Sequence, residues 1–213
     1  MSSYCLSDVH GELESLELML RKIGFSSGDT LYLLGDAIDR GDHSLEVLRL
    51  VMETPNIVML RGNHEQMLLD AMGPRPEPFA RRLWLDNGGK LTHFAFTALP
   101  RGEQNAILDF LQGLPDQLEI EVSGKRYLLV HACPGDGRAR LWGEVKPWAD
   151  YGYAGTVIFG HTPTRVYLDG SPRKHDVIWH GKGRIGIDCG CGIRRPGSKL
   201  GCIRLEDMAK FYV

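Results

Sequence analysis

Side chains able to bind metal ions follow five apolar stretches of this 213-residue chain. They occur in the segments CLSDVHGE, LLGDAIDRGD, MLRGNHEQ, LLVHAC and VIFGHTP, each at the point where a predicted strand ends. The candidate ligands are Asp8, His10, Asp36, Asn63, His131 and His161. This mixture of carboxylate, amide oxygen and imidazole suits Mn, Fe or Zn better than metals that prefer thiolates.

The size of this set indicates two ions rather than one. Six groups are too many for a single catalytic ion, which must keep open positions for water and substrate. A carboxylate has two oxygens and can be shared between two ions, which makes Asp36 the candidate shared ligand. The sequence therefore predicts a site for two divalent cations.

Alternating strand and helix patterns are expected to position these groups. The segments YCLS, TLYLLGD and NIVMLRGN predict strands, and the segments ELESLELMLRKIG, SLEVLRLVME and EQMLLDAM predict the helices that follow them. The order β-α-β-α-β implies parallel strands joined by right-handed crossovers. Loops after parallel strands emerge at one edge of the sheet, so the polar clusters should converge there.

The rest of the chain predicts a helical insertion and a β-rich half. After the proline-rich segment GPRPEPF, helical stretches at about 79–87 and 103–113, with NGGK as a turn between them, predict a capping insertion at about 73–115. The segments QLEIEV, KRYLLVHA, TVIFGH, RIGIDCG, LGCIRLE and AKFYV predict strands of a second sheet against the first. We therefore expect a single domain over residues 1–213.

Composition restricts the partners and the compartment. A formal charge of −2 and a pI near 6.4 give no broad basic surface, so nucleic acid is not an expected partner. The five cysteines are interpreted as reduced thiols. The N-terminal segment MSSYCLSDVH lacks the features of a secretion signal, and no stretch contains 18 consecutive apolar residues. We expect a cytoplasmic protein with no membrane partner.

The motifs SDVHGE, GDAIDRGD, RGNHE, VHA and GHTP occur in an order that resembles the calcineurin-like metallophosphoesterases. The resemblance is to the serine/threonine phosphoprotein phosphatase family, in its small, bacteriophage-lambda-like bacterial branch, and it covers essentially the whole chain. Ser7 stands where glycine is commoner in the first motif, but Asp8 and His10 are intact. The resemblance implies an α/β fold of the two-sheet αββα sandwich type, with the metal site at the carboxyl edge of the strands.

The resemblance also implies roles for individual residues. The first ion would be held by Asp8, His10 and Asp36, and the second by Asp36, Asn63, His131 and His161. His64 would protonate the leaving alkoxide, and Asp39 would orient His64. The cofactors would be two divalent ions, with Mn²⁺ preferred and Fe or Zn as alternatives. A water shared by the two ions would attack the phosphorus directly.

These roles match what phosphomonoester hydrolysis requires. The uncatalysed reaction is among the slowest known, so a catalyst must neutralise charge, activate water and supply a proton. Arg40 and Arg61 lie beside the candidate ligands and could bind phosphate oxygens with forked hydrogen bonds, or could instead pair with neighbouring acids. A further phosphate-binding arginine common in the family has a poor match in GDGRARLWGEVKPW, where Arg140 is the candidate and Arg138 the alternative.

Three functions remain open at the level of sequence. The first is a phosphatase for phosphomonoesters, with phosphorylated serine or threonine in proteins, or a small phosphoester, as substrate. The second is a symmetrical diadenosine tetraphosphate hydrolase, which shares the motifs; the residues between Cys133 and Gly155 include aromatic and cationic side chains that suit a nucleotide. The third, a metal-binding scaffold that only recognises phosphorylated partners, has no need for His64 and Asp39. Short loops favour the phosphatase.

Overall fold

The computed structural model describes residues 1–168 and 177–213, which contain two five-stranded mixed sheets. The first sheet has the strand order β10-β9-β1-β2-β3 and the second has the order β4-β5-β6-β8-β7. The strands are β1 (Ser3–Leu6), β2 (Thr30–Leu33), β3 (Ile57–Met59), β4 (Gln117–Val122), β5 (Lys125–Val130), β6 (Thr156–Phe159), β7 (Trp179–Gly181), β8 (Arg184–Gly186), β9 (Gly201–Arg204) and β10 (Lys210–Tyr212). The helices are α1 (Leu13–Ile23), α2 (Ser44–Glu53), α3 (Asn63–Met72), α4 (Ala80–Trp84), α5 (Lys90–Ala98), α6 (Arg101–Gly113) and α7 (Gly137–Trp142).

The β-α-β-α-β order predicted for the first third of the chain is confirmed. Strands β1, β2 and β3 are parallel neighbours, connected through α1 and α2. Helix α1 ends at Gly24, which adopts a left-handed conformation with φ of 63° and donates its N–H to the Arg21 carbonyl. The carboxyl ends of these strands lead into the SDVHGE, GDAIDRGD and RGNHE segments, so all three loops emerge at one edge.

The two sheets pack face to face, and alternation along each strand sends side chains to opposite layers. Cys5 and Leu34 of the first sheet share a buried cluster with Leu129 and Ile158 of the second. Their neighbours Tyr4, Leu6, Leu31 and Leu33 point the other way, into the cluster formed with the helices. The predicted αββα sandwich is therefore confirmed, with the inter-sheet core between two outer layers.

The prediction that every strand of the second half joins the second sheet was wrong for the last two. Strand β9 runs antiparallel to β1, and β10 runs antiparallel to β9, so both extend the first sheet. They cover the edge of β1 that β2 leaves open, where unpaired backbone groups would otherwise remain. Ile203 faces the inter-sheet core while Cys202 faces the helices, which is the alternation that this position requires.

The segment at about 73–115 is helical, but its helices differ from those predicted. NGGK does not form the predicted turn between separate helices: residues 85–89 continue helically from α4 through a kink at Gly88, which has φ of 105°, and α5 begins directly afterwards. Helix α5 was therefore missed in the sequence, because Asn-Gly-Gly is a strong turn signal. Trp84 and Phe96 are fully buried in the same cluster as α1, α2 and α3, so the insertion packs on the helical layer of the sandwich.

Two further observations concern the described residues. Within 1–168 and 177–213, no helix combines the length and the apolar character needed to span a bilayer. We interpret His175 as a structural or solvated residue from the sequence, and it lies outside the described residues.

Candidate dinuclear metal centre

The structure brings all six predicted ligands into one cluster at the carboxyl edge of the strands. In one group, His10 Nε2 lies 3.8 Å from Asp8 Oδ1 and 3.7 Å from Asp36 Oδ2. In the other, Asn63 Oδ1 lies 2.9 Å from His131 Nε2 and 3.0 Å from His161 Nδ1. His131 Nε2 is 3.5 Å from the second carboxylate oxygen of Asp36, Oδ1. Asp36 therefore presents one oxygen to each group.

Unusual backbone conformations aim these side chains. Ten non-glycine residues in the described part of the chain have positive φ, and six of them are candidate site residues. These six are Asp8, His10, Asp36, Asp39, Arg40 and His161. Such conformations are disfavoured for residues with a Cβ atom and persist only where the surrounding structure supports them. The strain is therefore concentrated in the loops that carry the cluster.

Two motif glycines allow the loops to approach closely. A Cβ atom on Gly62, in RGNHE, would lie 2.2 Å from Asp36 Oδ1. A Cβ atom on Gly160, in GHTP, would lie 2.3 Å from Asp8 Oδ2. Neither distance is physically possible, so any side chain at these positions would push a candidate ligand out of place.

Backbone carbonyls fix the orientation of two imidazoles. His10 Nδ1 lies 3.0 Å from the Ile38 carbonyl oxygen, and His131 Nδ1 lies 2.7 Å from the Leu34 carbonyl oxygen. A carbonyl can only accept, so Nδ1 carries the hydrogen and the lone pair of Nε2 faces the cluster. This arrangement of a ligating nitrogen backed by a hydrogen bond on the other nitrogen is typical of metal-binding histidines.

Burial shifts the pKa values of the acids and of the imidazoles in this cluster in opposite directions. Burial, together with the nearby Asp188, raises the pKa of Asp8 well above its usual value. Burial, Asp8 and Glu65 do the same to the pKa of Asp36. Burial lowers the pKa of His10 and His131 well below the usual value, and that of His161 to about 4. Neutral imidazoles and crowded acids are a donor set that fits divalent cations, whose charge relieves the repulsion.

His64 and Asp39 form a buried pair beside the cluster. His64 Nδ1 lies 2.7 Å from Asp39 Oδ2, and the His64 backbone N–H donates to Asp36 Oδ1 at 3.1 Å. Its other nitrogen, Nε2, faces the cluster 4.0 Å from Asp36 Oδ2. The ligand atoms of His10, Asp36 and His64 lie within 4.8 Å of one another. The geometry therefore suits His64 to proton transfer and also leaves it near enough to be a ligand.

The three predicted phosphate-binding arginines are placed differently. The Arg40 guanidinium lies over the cluster, with one NH2 group 3.0 Å from His10 Nε2 and the other 3.1 Å from His64 Nε2. Arg61 instead forms an ion pair with Asp116, whose Oδ1 lies 3.0 Å from the Nε and 2.9 Å from one NH2 group of the guanidinium. Pairing with a neighbouring acid is the alternative that the sequence left open for Arg61. Arg140 lies in α7, and its buried Nε has no hydrogen-bond partner among the described residues.

Glu65 was missed as a site residue by the sequence reasoning, although it directly follows His64. Its fully buried carboxylate accepts hydrogen bonds from the backbone N–H groups of Asp36 at 2.9 Å, Ala37 at 2.9 Å and Gly62 at 2.8 Å. Glu65 thereby ties the first turn of α3 to the loop after β2. A glutamate at the third helical position before an apolar run is a capping signal that could have identified it.

Ser7 was also given no role. Its hydroxyl donates to Asp8 Oδ2, and the residue is buried. A glycine in this position, which is commoner in the motif, could not make this contact. This departure from the first motif therefore adds a hydrogen bond to a candidate ligand.

Comparison with known proteins agrees with this geometry. The family model described as calcineurin-like phosphoesterase matches residues 1–165, which include every candidate ligand. Serine/threonine-protein phosphatase 2 of Escherichia coli strain K12 is 35% identical over 199 residues, covering 79% of this chain and 87% of that protein. Its namesake from Salmonella typhimurium is 36% identical over 130 residues, covering 61% of this chain and only 57% of that protein.

The comparisons also include dinucleotide hydrolases. A symmetrical bis(5'-nucleosyl)-tetraphosphatase of Paracidovorax citrulli is 36% identical over 134 residues, covering 62% of this chain and 44% of that protein. Among solved structures, one described as a putative diadenosine tetraphosphatase has a TM-score of 0.67 at 20% identity, covering 100% of this chain and 92% of that chain. At that identity the likeness shows a shared fold.

Proposed function

This chain belongs to the calcineurin-like phosphoesterases, a family of metal-dependent hydrolases, and from that premise we propose that it is a phosphatase for phosphomonoesters. Phosphoserine and phosphothreonine in proteins are the proposed substrates, with small phosphoesters as further ones. The observation that carries the proposal is the placement of Asp36 between two ligand groups, beside the buried His64 and Asp39 pair. Residues 1–213 would act as a single domain, with the insertion at about 73–115 capping the helical layer.

We assign the six ligands to two sites that share Asp36. Asp8, His10 and Asp36 would hold one ion, and Asp36, Asn63, His131 and His161 the other. When bound, two such ions neutralise phosphoryl charge and activate a water molecule for attack on phosphorus. Mn²⁺ is the proposed metal, with Fe or Zn as alternatives, because three of the donors are imidazoles, which Mg²⁺ rarely accepts.

Arginines would bind the phosphoryl group of the substrate. The two NH2 groups of Arg40 already point at the cluster as a fork, and phosphate oxygens are their natural bidentate partners. The Nε and one NH2 group of Arg61 contact Asp116, and its other NH2 group would donate to phosphate. Arg140, whose Nε has no partner in the described part of the chain, is the third candidate.

His64 would donate a proton to the leaving oxygen as the bond between phosphorus and that oxygen breaks. Asp39 accepts the hydrogen on Nδ1, so a second proton taken up by the ring for transfer would be carried at Nε2, the nitrogen that faces the cluster. A protein that only bound phosphate would gain nothing from this pair. The pair therefore favours an enzyme over a phosphate-recognising scaffold.

A second candidate function, symmetrical diadenosine tetraphosphate hydrolysis, has a specific observation in its favour. The Trp142 ring lies 6.5 Å from the ring of the candidate ligand His161 and is 38% exposed. Arg138 and Trp142 line a cavity of about 300 Å³. An exposed aromatic face with a nearby cation suits a nucleobase and its phosphates. We also propose a cytoplasmic location, supported by five buried cysteines that form no disulfide within the described residues.

A side-by-side assay separates these functions. A phosphoserine peptide, an aryl phosphate and diadenosine tetraphosphate are each offered to the Mn²⁺-loaded protein, with Asp36→Asn as the control for contaminating activity. We expect a higher kcat/KM for the first two substrates. A preference of tenfold or more for the dinucleotide would move the assignment to the second function. Metal loading without turnover of any of the three would support the scaffold.

A further inference from the structure

Asp39 has a second hydrogen-bond donor, and it comes from the helical insertion. Asp39 is 0% exposed, and its Oδ2 accepts from His64 Nδ1 at 2.7 Å and from Trp84 Nε1 at 2.8 Å. Its other oxygen, Oδ1, meets no hydrogen-bond partner among residues 1–168 and 177–213. The direction in which the carboxylate faces is thus set by two donors on one oxygen, and one of them is an indole.

The same part of the insertion also supports the backbone of the Asp39 loop. The Arg40 N–H donates to the Gly88 carbonyl at 3.1 Å. Ser44 Oγ accepts from the Asp39 N–H at 2.8 Å and is itself hydrogen-bonded to Thr92 Oγ1 at 2.9 Å. Asp39 and Arg40 have φ of 73° and 66°, conformations that need external support. Trp84, Gly88 and Thr92 supply that support from three points.

Packing fixes the position of the indole. Trp84 is 0% exposed, and a Cβ atom on Gly89 would lie 2.3 Å from its Nε1, so the ring edge lies directly against the backbone of the insertion. The His93 ring packs against Trp84 at 5.7 Å between centroids, with its plane at 73° to the indole. The N–H therefore has one direction available to it, toward Asp39.

We infer that Trp84 is a positioning residue for proton donation, acting through Asp39 on His64. The inference rests on the proposed function, in which His64 protonates the leaving oxygen. With the indole N–H in place, the carboxylate cannot rotate about its Cβ–Cγ bond, so His64 keeps Nε2 directed at the cluster. Without the indole N–H, the Asp39 carboxylate can rotate more freely. The His64 imidazole, which is hydrogen-bonded to that carboxylate, then loses its alignment with the leaving group.

The test compares two aryl phosphates in Trp84→Phe, which removes the N–H and keeps an aromatic ring. Phenyl phosphate has a basic leaving group that needs a proton, whereas 2,4-dinitrophenyl phosphate has a weakly basic one that does not. We expect kcat for phenyl phosphate to fall roughly 10- to 100-fold, the range for loss of a hydrogen bond to a charged group. Activity on 2,4-dinitrophenyl phosphate should change little, and metal content should match that of the unaltered protein.

Two controls distinguish positioning from general damage. Phe96→Leu perturbs a side chain that is also 0% exposed in the same cluster but cannot hydrogen-bond to Asp39, so any loss should be equal for both substrates. In a His64→Asn background, Trp84→Phe should cost almost nothing further, because residues that act as one unit are not additive. Equal losses on both substrates in Trp84→Phe, or a full loss in the His64→Asn background, would overturn the inference.

Failure of the variant to fold does not leave the inference untested. If near-ultraviolet circular dichroism shows that Trp84→Phe is unfolded, replacement of Trp84 by 3-benzothienylalanine decides the matter, since sulfur takes the place of the N–H in a ring of nearly the same shape. A loss confined to phenyl phosphate supports the inference, and equal losses on both substrates contradict it. If the unaltered, metal-loaded protein hydrolyses neither aryl phosphate, the proposed function itself fails and the inference fails with it.

Discussion

At the scale of single residues, Asp36 is subject to several structural constraints at once. Its Oδ2 lies 3.7 Å from His10 Nε2 and its Oδ1 lies 3.5 Å from His131 Nε2, so one side chain faces both ligand groups. It is buried, left-handed in its backbone, and close to Asp8 and Glu65. A residue under these constraints is retained for its chemistry rather than for stability.

Asp36→Asn should therefore weaken both metal sites at once. An amide offers one oxygen in place of two and carries no charge, so at most one ligand group keeps its contact. We expect metal content after dialysis to fall for both ions, together with turnover. Asp42→Asn is the matched control, because Asp42 is in the same loop but is exposed and, within the described residues, pairs with Arg194 at 3.3 Å. Full metal content in Asp36→Asn would contradict a shared ligand.

His64→Asn tests the distinction between acid and ligand. If His64 supplies a proton, metal content should stay near normal while kcat falls by roughly 10²- to 10⁴-fold, the usual contribution of a general acid. His43→Asn, at an exposed histidine just before α2, provides the control. Loss of metal from His64→Asn would show that His64 belongs with His10 and Asp36 as a ligand, which their spacing allows.

At the scale of elements, α3 holds the loop after β2 through Glu65. The Glu65 carboxylate accepts four backbone N–H groups, three from the Asp36 loop and one from Gly62. Glu65→Gln keeps the size of the side chain but points an NH2 group at N–H donors. We expect unfolding in urea to be easier by about 1–3 kcal/mol, the cost of leaving buried donors unsatisfied, with weaker metal binding. Glu46→Gln, at an exposed position of α2, is the control, and an unchanged urea midpoint in Glu65→Gln would contradict the role of Glu65.

Helix α1 and the grouping of three candidate ligands could be predicted because both depend on the local sequence pattern of helices and strands. Apolar periodicity and Gly24 were enough to predict α1, and parallel strands bring their ends together, so Asp8, Asp36 and Asn63 could be grouped. Alternation predicts that β9 is a strand but is the same in either sheet, so its pairing with β1 could not be deduced.

Contacts that join distant segments carry no local signal. The ion pair of Arg61 with Asp116 spans 55 residues, and the hydrogen bond from Trp84 to Asp39 spans 45. The sequence could identify Trp84 only as a buried aromatic residue, because neither the apolar periodicity around it nor the adjacent residues indicate a hydrogen-bond partner in another loop. The placement of the candidate ligands was predictable because they follow strands, whereas the contacts of Trp84 with Asp39 depend on tertiary packing.

At the scale of the whole molecule, the candidate centre joins the two sheets. The His161 backbone N–H donates to Asp8 Oδ2 at 2.9 Å, and His131 Nδ1 is hydrogen-bonded to the Leu34 carbonyl at 2.7 Å. Asp8 and Leu34 follow strands of the first sheet, while His131 and His161 follow strands of the second. Ions held at this cluster would therefore connect both layers, and their binding free energy would add to that of folding.

In the metal-free protein, the histidines and the acids of this cluster should change the stability with pH in opposite directions. The pKa of His161 is lowered to about 4, below its ordinary 6.5, so acidification through that window protonates the unfolded chain first and stability falls as pH drops. The pKa values of Asp8 and Asp36 are raised, so their contribution to stability falls as pH rises above the ordinary value of 3.8 toward the raised values. Near neutral pH, the buried acids are the groups that cations would stabilise.

Chelation should consequently lower the melting temperature, and Mn²⁺ should restore it more fully than Mg²⁺. Ligand at about 100 times its Kd adds roughly 2.7 kcal/mol, which corresponds to several degrees for a chain of this length. The effect of Mn²⁺ should be larger at pH 7.5 than at pH 5, because protons on the acids and on imidazoles compete with the ion at lower pH. Thermal melts with chelator, Mn²⁺ and Mg²⁺ at both pH values measure this. Identical melting temperatures with and without Mn²⁺ at pH 7.5 would show that the cluster does not hold metal, since ions that bind only the folded chain must stabilise it.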